Sequence, residues 1–306
     1  MDSSLNGSVT RLAVVTDVHY GPPVFTKRGD CAPELMRQFA TFVAEVNVSH
    51  VLDLGDRIND VDHQADQRNM QAVAEMFRSL PKPTIHINGN HDVDQLTVAE
   101  NENFLRQSLG HETIDVGSWR IVVWRVDSRI YRSETGPTGF SPAEEDTVWL
   151  ARTMQAADRP CLVITHVPFS GRVFHENYYF AHNPEISTYP TAARMRAALQ
   201  LSRVPVVVLT GHVHENSVTT VGGITHLTQQ SLTESFTTGG EPAAAMGVIE
   251  LGETVTWTVI GRDPITVAFV PTTTRWMPPM PGFGDTEQLR IRRDVPRVRP
   301  AELSQS

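Results

Sequence analysis

The sequence predicts an α/β fold: a four-layer αββα sandwich of two mixed β-sheets flanked by helices. Three observations carry that reading. Through the first hundred residues, short apolar runs alternate with segments whose apolar residues fall at helical spacing. From Val218 to Val270 the pattern changes to short alternating runs punctuated by glycine. The main apolar runs before that point lead into Asp, Asn or His.

Leu12 to Thr16 is a buried first strand ending in Asp17. After a loop rich in Gly and Pro, Leu35, Met36, Phe39, Phe42, Val43 and Val46 mark an amphipathic helix from Pro33 to Asn47. Val51 to Leu54 is a second strand, leading to Gly55-Asp56. Met70, Val73, Ala74, Phe77 and Leu80 mark a second helix that Pro81 stops. Pro83 to Asn88 is a third strand and delivers Gly89-Asn90-His91-Asp92. A helix is expected over Glu102 to Leu109 and a hairpin around Trp119 to Val126. Ser141-Pro142-Ala143-Glu144 reads as a helix start with Ser141 as cap, the helix running to Ala157. Cys161 to Thr165 is a strand delivering His166, Ala192 to Ser202 a helix, and Val204 to Thr210 an apolar strand delivering Gly211-His212-Val213-His214. The alternating runs that follow complete a second sheet. Beyond Pro271 the chain is rich in Pro and Arg without periodicity. Residues 1–270 therefore read as one domain and 271–306 as a C-terminal tail.

Composition narrows the function. With 40% hydrophobic and 20% charged residues, the 306-residue chain is globular. A net charge of −9 argues against general nucleic-acid binding, which needs a basic face. It leaves room for a small phosphoester substrate, because bound cations reverse the local field. Cys31 and Cys161 make no disulfide framework and read as free thiols. The N-terminal stretch lacks a secretory pattern, and no run approaches the length of a membrane span. A cytoplasmic protein that meets no membrane is expected. The tail and the aromatic segment 172–182 would suit a homodimer contact.

Asp17, His19, Asp56, Asn90, His166, His212 and His214 all follow predicted strands, where ligands collect in such sheets. Together they can ligate two metals if one carboxylate is shared. Mixed imidazole, carboxylate and amide ligands suit Mn, Fe, Zn or Co rather than Ca. The ordered set Asp17-x-His19, Gly55-Asp56, Gly89-Asn90-His91-Asp92, His166 and Gly211-His212-x-His214 resembles the calcineurin-like metallophosphoesterase superfamily. Each motif alone is weak, but five in order are specific. The resemblance implies two divalent transition metals, one held by Asp17, His19, Asp56 and His214, the other by Asp56, Asn90, His166 and His212. Such a pair lowers the pKa of a bound water to about 7, and the resulting hydroxide attacks phosphorus in line.

The resemblance also sets His91 beside the substrate as the catalytic residue, stabilising or protonating the leaving oxygen. Asp92 stays outside the expected site, since a loop-capping role suits it equally. Protein-phosphatase members carry a second Asp three residues after the bridging one. Here that position is Asn59, with Asp60 one further on. Neither a His–Asp dyad nor a protein phosphatase is therefore expected. His50, His63, His86, His111 and His226 lack a partner pattern and read as surface or interior histidines, and Asp53 as structural. The segment Arg172 to His182 either walls the pocket or only anchors its loop.

The layout is most similar to the bacterial branch holding class III cyclic-nucleotide phosphodiesterases and glycerophosphodiesterases. A phosphodiesterase acting on a small diester, a cyclic nucleotide first, is the leading expectation. A phosphomonoesterase or nucleotide pyrophosphatase comes second, and a non-catalytic scaffold a distant third. No Arg cluster beside the motifs is available to grip a terminal phosphate, which favours the diester.

Overall fold

The computed structural model describes residues 9–171 and 176–277. The amino-terminal half runs β1 (Thr10–Val15), α1 (Ala32–Glu45), β2 (His50–Asp53), α2 (His63–Arg78), β3 (Thr84–His86), α3 (Asn90–Asp94) and α4 (Val98–Leu105). Next come β4 (Glu112–Val116), β5 (Trp119–Val123), β6 (Ile130–Ser133), β7 (Gly136–Phe140), α5 (Glu144–Ala156), β8 (Cys161–Ile164), α6 (Ala192–Leu199) and β9 (Val206–Thr210). The chain closes with β10 (Ser217–Val221), β11 (Ile224–Thr228), β12 (Met246–Leu251), β13 (Val255–Ile260) and β14 (Ile265–Phe269).

These strands form two six-stranded sheets, ordered β14-β13-β12-β1-β2-β3 and β10-β11-β9-β8-β5-β4. Both are mixed. In the first, β1, β2 and β3 are parallel while β12 joins β1 antiparallel. In the second, β5, β8, β9 and β11 are parallel, with β4 and β10 antiparallel at the edges. Alternate residues of one strand serve different layers. Leu12 and Val14 of β1 join Leu162, Ile164, Val207 and Leu209 in the core between the sheets. Ala13 and Val15 face the other way, onto Leu35, Phe39 and Val43 of α1 and Met70 and Val73 of α2. Val163 and Val208 likewise meet Leu150 and Met154 of α5 and Met195 of α6. Burial on both faces explains why these strands read as continuous apolar runs.

Several elements depart from expectation. The fourth helix lies at Val98–Leu105, not over Glu102 to Leu109. Thr97 and Glu100 set its start as a capping box, and Arg106 ends it in the left-handed region. Ser141 does not cap α5. That helix begins after Ala143, with Glu144, Glu145 and Asp146 in its first turn in place of a side-chain cap. The β6-β7 hairpin was not expected, and the Gly-Asn-His-Asp segment forms the short helix α3.

Of the expected tail, residues 278–306 lie outside the described residues, as do Arg172 to His175. At its start, Arg275 donates to the Val204 carbonyl at 3.1 Å and Trp276 N to the Gly222 carbonyl at 3.2 Å. Among the described residues no helix is long and apolar enough to cross a membrane.

Candidate metal centre

Five parallel strands carry the site. β1, β2 and β3 of one sheet and β8 and β9 of the other each release the chain at their carboxyl ends, just before Asp17 and His19, Asp56, Asn90 and His91, His166, and His212 and His214. The side chains converge in two buried groups: Asp17, His19, Asp56 and His214, and Asp56, His166 and His212. Within each group the potential ligand atoms all lie within 4.8 Å of one another. Asp56 belongs to both through a single oxygen. Its Oδ2 lies 3.9 Å from His19 Nε2 and 3.3 Å from His166 Nε2. Its Oδ1 is taken by the His91 backbone N–H at 2.9 Å. Asn90, also buried, lines the same pocket.

The surroundings aim each group inward. His166 Nδ1–H donates to the Leu54 carbonyl at 2.7 Å, His212 Nε2–H to the Ile186 carbonyl at 2.8 Å, and His214 Nδ1–H to Glu234 at 2.7 Å. In each case one ring nitrogen is spent and the other remains for a ligand. Asp17 Oδ2 accepts from Thr16 Oγ1 at 2.5 Å and from His212 N at 3.0 Å. The atoms left over have no hydrogen-bond partner: Asp17 Oδ1, His19 Nδ1, Asn90 Oδ1, His166 Nε2 and His212 Nδ1. Orphaned buried polar atoms are costly and rare. Here they cluster.

The backbone is strained at the same place. Asp17, His19, Asp56, His212 and His214 all adopt positive φ, between 47° and 74°. Such angles in non-glycine residues cost free energy and concentrate at functional sites. Close approach adds a further constraint: a Cβ on Gly89 would collide with the Asp56 carboxylate. The donor chemistry, the orphaned atoms and the strained turns fit divalent cations, with Asp56 common to both groups.

Charge divides the histidines by their carboxylate contacts and not by group. Burial opposes protonation of His166, but the Asp56 carboxylate raises its pKa to about 9. Burial likewise opposes charge on His214, and Asp17 with Glu234 raises it to about 9. Burial, with the neighbouring His166, pushes His212 down to about 3.

Sequence reasoning missed several supporting residues. Asp92, left outside the expected site, accepts the backbone N–H groups of Asp56, Arg57 and Gly89, each at 2.9 Å. It caps α3 and holds the turn carrying Asp56. Glu234, which orients His214, belongs to Gln229–Ser235, a polar stretch that is wholly buried. The expectation of no His–Asp dyad is corrected. His91 Nδ1 meets Asp60 Oδ1, because the turn after Asp56 sends Asn59 instead toward the Pro22 carbonyl, at 2.9 Å. Two cations also reach the pocket from distant segments, Lys27 and Arg132, so the lack of Arg beside the motifs did not describe the pocket. Tyr178, Tyr179 and Phe180 line it, and Tyr178 stacks on Phe236 with centroids 6.0 Å apart. His50, His63, His86, His111 and His226 lie outside both groups, and Asp53 pairs with Arg57 at 2.7 Å.

A sequence profile of calcineurin-like phosphoesterases matches residues 10–216. The chain belongs to that family. The chemistry of calcineurin-like phosphoesterases is metal-dependent hydrolysis of phosphoric esters, in keeping with the paired ligand groups. Solved structures share the fold at low identity. A dimetal phosphatase from Danio rerio superposes with a TM-score of 0.67 at 15% identity, over 86% of this chain and 99% of that one. The purple acid phosphatase PPD1 from yellow lupin seeds gives 0.59 at 12%, over 85% and 54%. GAP50, the anchor in the inner membrane complex of Plasmodium, gives 0.53 at 12%, over 94% and 95%. A search of curated protein sequences gave no match. A fold that serves both phosphatases and an anchor does not by itself fix activity.

Proposed function

We propose that this calcineurin-like phosphoesterase is a dinuclear-metal phosphodiesterase acting on a small diester that carries a planar ring, with a cyclic nucleotide as the leading substrate. The observation that carries the reading is the single Asp56 oxygen facing both ligand groups at a pocket of about 270 Å³ walled by Tyr178 and Phe236. Asp17, His19, Asp56 and His214 would hold one cation, and Asp56, Asn90, His166 and His212 the other. Two divalent cations bound there would supply Lewis acidity and lower the pKa of a water toward neutrality. Around them the chain's own residues orient and exclude. Leu54, Ile186 and Glu234 fix the tautomers of three ligand histidines, while Asp92 holds the Asp56 backbone N–H and the His91 N–H fixes the Asp56 carboxylate. His91 stands beside the position of the leaving oxygen. The aromatic wall suits a nucleobase.

A second reading, a nucleotide pyrophosphatase, is favoured by one observation. Lys27 and Arg132 line the same pocket and could hold a second phosphate.

The test is hydrolysis of bis(p-nitrophenyl) phosphate against p-nitrophenyl phosphate by protein stripped of metal and refilled with manganese. The expected result is at least a roughly tenfold diester preference in kcat/KM, followed by turnover of a cyclic nucleotide. Monoester preference would reject the diesterase reading, and activity without metal would overturn the dinuclear one. Cleavage of a dinucleotide pyrophosphate in place of a cyclic nucleotide would favour the second reading.

A further inference from the structure

The Asp60–His91 pair ends on a residue that the roles above leave unused. Lys27 Nζ lies 3.2 Å from His91 Nε2 and lines the pocket. Its backbone is pinned from two sides. Lys27 N and O pair with Val24 O and N at 2.9 and 3.1 Å, and Arg28 N donates to the Thr233 carbonyl at 3.0 Å. Ser235 Oγ donates to the Thr26 carbonyl at 2.6 Å, and Lys27 bridges to Glu234, the residue that orients His214. The loop is thus tied to the wall of the metal centre.

The hydrogen-bond roles along this chain are forced. An ammonium can only donate and a carboxylate can only accept. His91 therefore donates from Nδ1 to Asp60 and accepts at Nε2 from Lys27. Lys27 has three protons and His91 takes one. Among the described residues Lys27 makes no ion pair of its own, although burial opposes its charge and Asp56, Asp60, Glu234 and Asp17 favour it. A desolvated ammonium with unused donors, fixed at the mouth of a phosphoryl site, is placed to meet an anion.

We propose that Lys27 is a catalytic residue whose ammonium group binds the phosphoryl oxygens of the substrate, with the His91–Asp60 pair holding it in position. The proposal rests on the phosphoesterase reading. Negative charge spreads over the equatorial oxygens in phosphoryl transfer, and a preorganised donor there is most effective in the transition state. No proton has to cross for Lys27 to act. Its contribution should therefore be the same for good and poor leaving groups, unlike that of a general acid.

The test uses manganese-loaded full-length protein and the variants Lys27→Met, Lys27→Gln and Lys27→Arg. Inorganic phosphate binding is read by calorimetry, manganese content by elemental analysis, and diester turnover with p-nitrophenyl and alkyl leaving groups. In Lys27→Met both manganese ions should remain, phosphate should bind about tenfold more weakly, and kcat/KM should fall ~10²-fold for both leaving groups. Lys27→Gln keeps a donor toward His91 without the charge and should match Lys27→Met, while Lys27→Arg should recover part of the loss. Wild-type behaviour from Lys27→Gln would reduce Lys27 to a prop for His91 and overturn the proposal. So would unchanged phosphate affinity in Lys27→Met, or a loss confined to poor leaving groups. Should the wild type hydrolyse no phosphoester, the phosphodiesterase reading falls, and the phosphate titration still decides whether Lys27 binds the anion.

Discussion

Two buried polar clusters sit side by side in this protein, and they are built on opposite principles. Around Arg57 nearly everything is satisfied. Its guanidinium donates to Asp53 and to the Ile87 carbonyl, each at 2.7 Å, and to Asn88, and it lies 3.2 Å from Asp92. Asp53 also pairs with His86 at 2.7 Å, and Arg57 Nε alone of that side chain lacks a partner. Around Asp56, one residue away, ligand atoms are orphaned and the backbone is strained. A saturated network resists one arrangement being exchanged for another. An unsaturated one is stable only because the saturated network beside it and the sheets beneath hold it open. The first cluster is scaffold. The second is a receptacle.

That contrast is broken most severely at Arg57. Replacing it with Met leaves Asp53 and Asp92 buried without their cation, which should cost about 3–5 kcal/mol of stability in urea unfolding of the metal-free protein. Asp56→Ala should do the reverse. Turnover should fall by at least ~10³-fold and both metal ions should be lost, while metal-free stability falls less than in Arg57→Met, because the variant removes a buried charge together with that charge's own desolvation penalty. Equal destabilisation by the two variants would erase the distinction. Asp60→Asn sharpens it on a smaller scale. Weakening the hold on His91 should slow turnover about tenfold with metals retained, whereas Asn59→Ala, one residue away, should leave turnover within about twofold. The reverse ranking would mean that the position three after Asp56 supplies the partner after all.

The same contrast explains what the sequence could and could not reveal. The candidate ligand residues drew attention because each follows a continuous apolar run, and a strand buried on both faces has few other reasons to end in Asp or His. The two-sheet architecture was legible from the switch to alternating runs after His214. What escaped notice comes from places where turns, not periodicity, decide position. The dyad partner was sought at Asn59 because spacing was counted along the chain, but the turn after Asp56 presents Asp60. Lys27 lies in a loop rich in Gly and Pro, whose path depends on contacts with residues 233–235 more than two hundred positions away. Glu234 carries no motif at all. Its signal was a polar stretch, Gln229–Ser235, that reads as surface and is buried only because it packs under β1 and the Asp17 turn, with Gln229 donating to the Val14 carbonyl at 3.0 Å and Ser231 to the Asp17 carbonyl at 2.7 Å.

Histidine offers the finest comparison, because the same ring is used in both ways. His166 and His214 sit against carboxylates that favour the imidazolium. His226, on β11, packs edge-on against Phe169 at 5.4 Å, and among the described residues no carboxylate shifts its charge. Burial, with Arg196 nearby, lowers its pKa to about 3. The sign follows directly. The folded state keeps His226 neutral while the unfolded chain takes up a proton near pH 6.5, so its contribution is complete above pH 6.5 and is lost as pH falls toward 3. The loss approaches about 1.4 kcal/mol per pH unit. His226→Phe keeps a ring and removes the proton. Urea unfolding at pH 6.5 and pH 5 should therefore show a variant whose acid loss is smaller than wild type by about 2 kcal/mol. An unchanged acid slope would mean that His226 is protonated in the fold, and its packing against Phe169 would then no longer stand as the carboxylate-free counterpart of the metal-centre histidines.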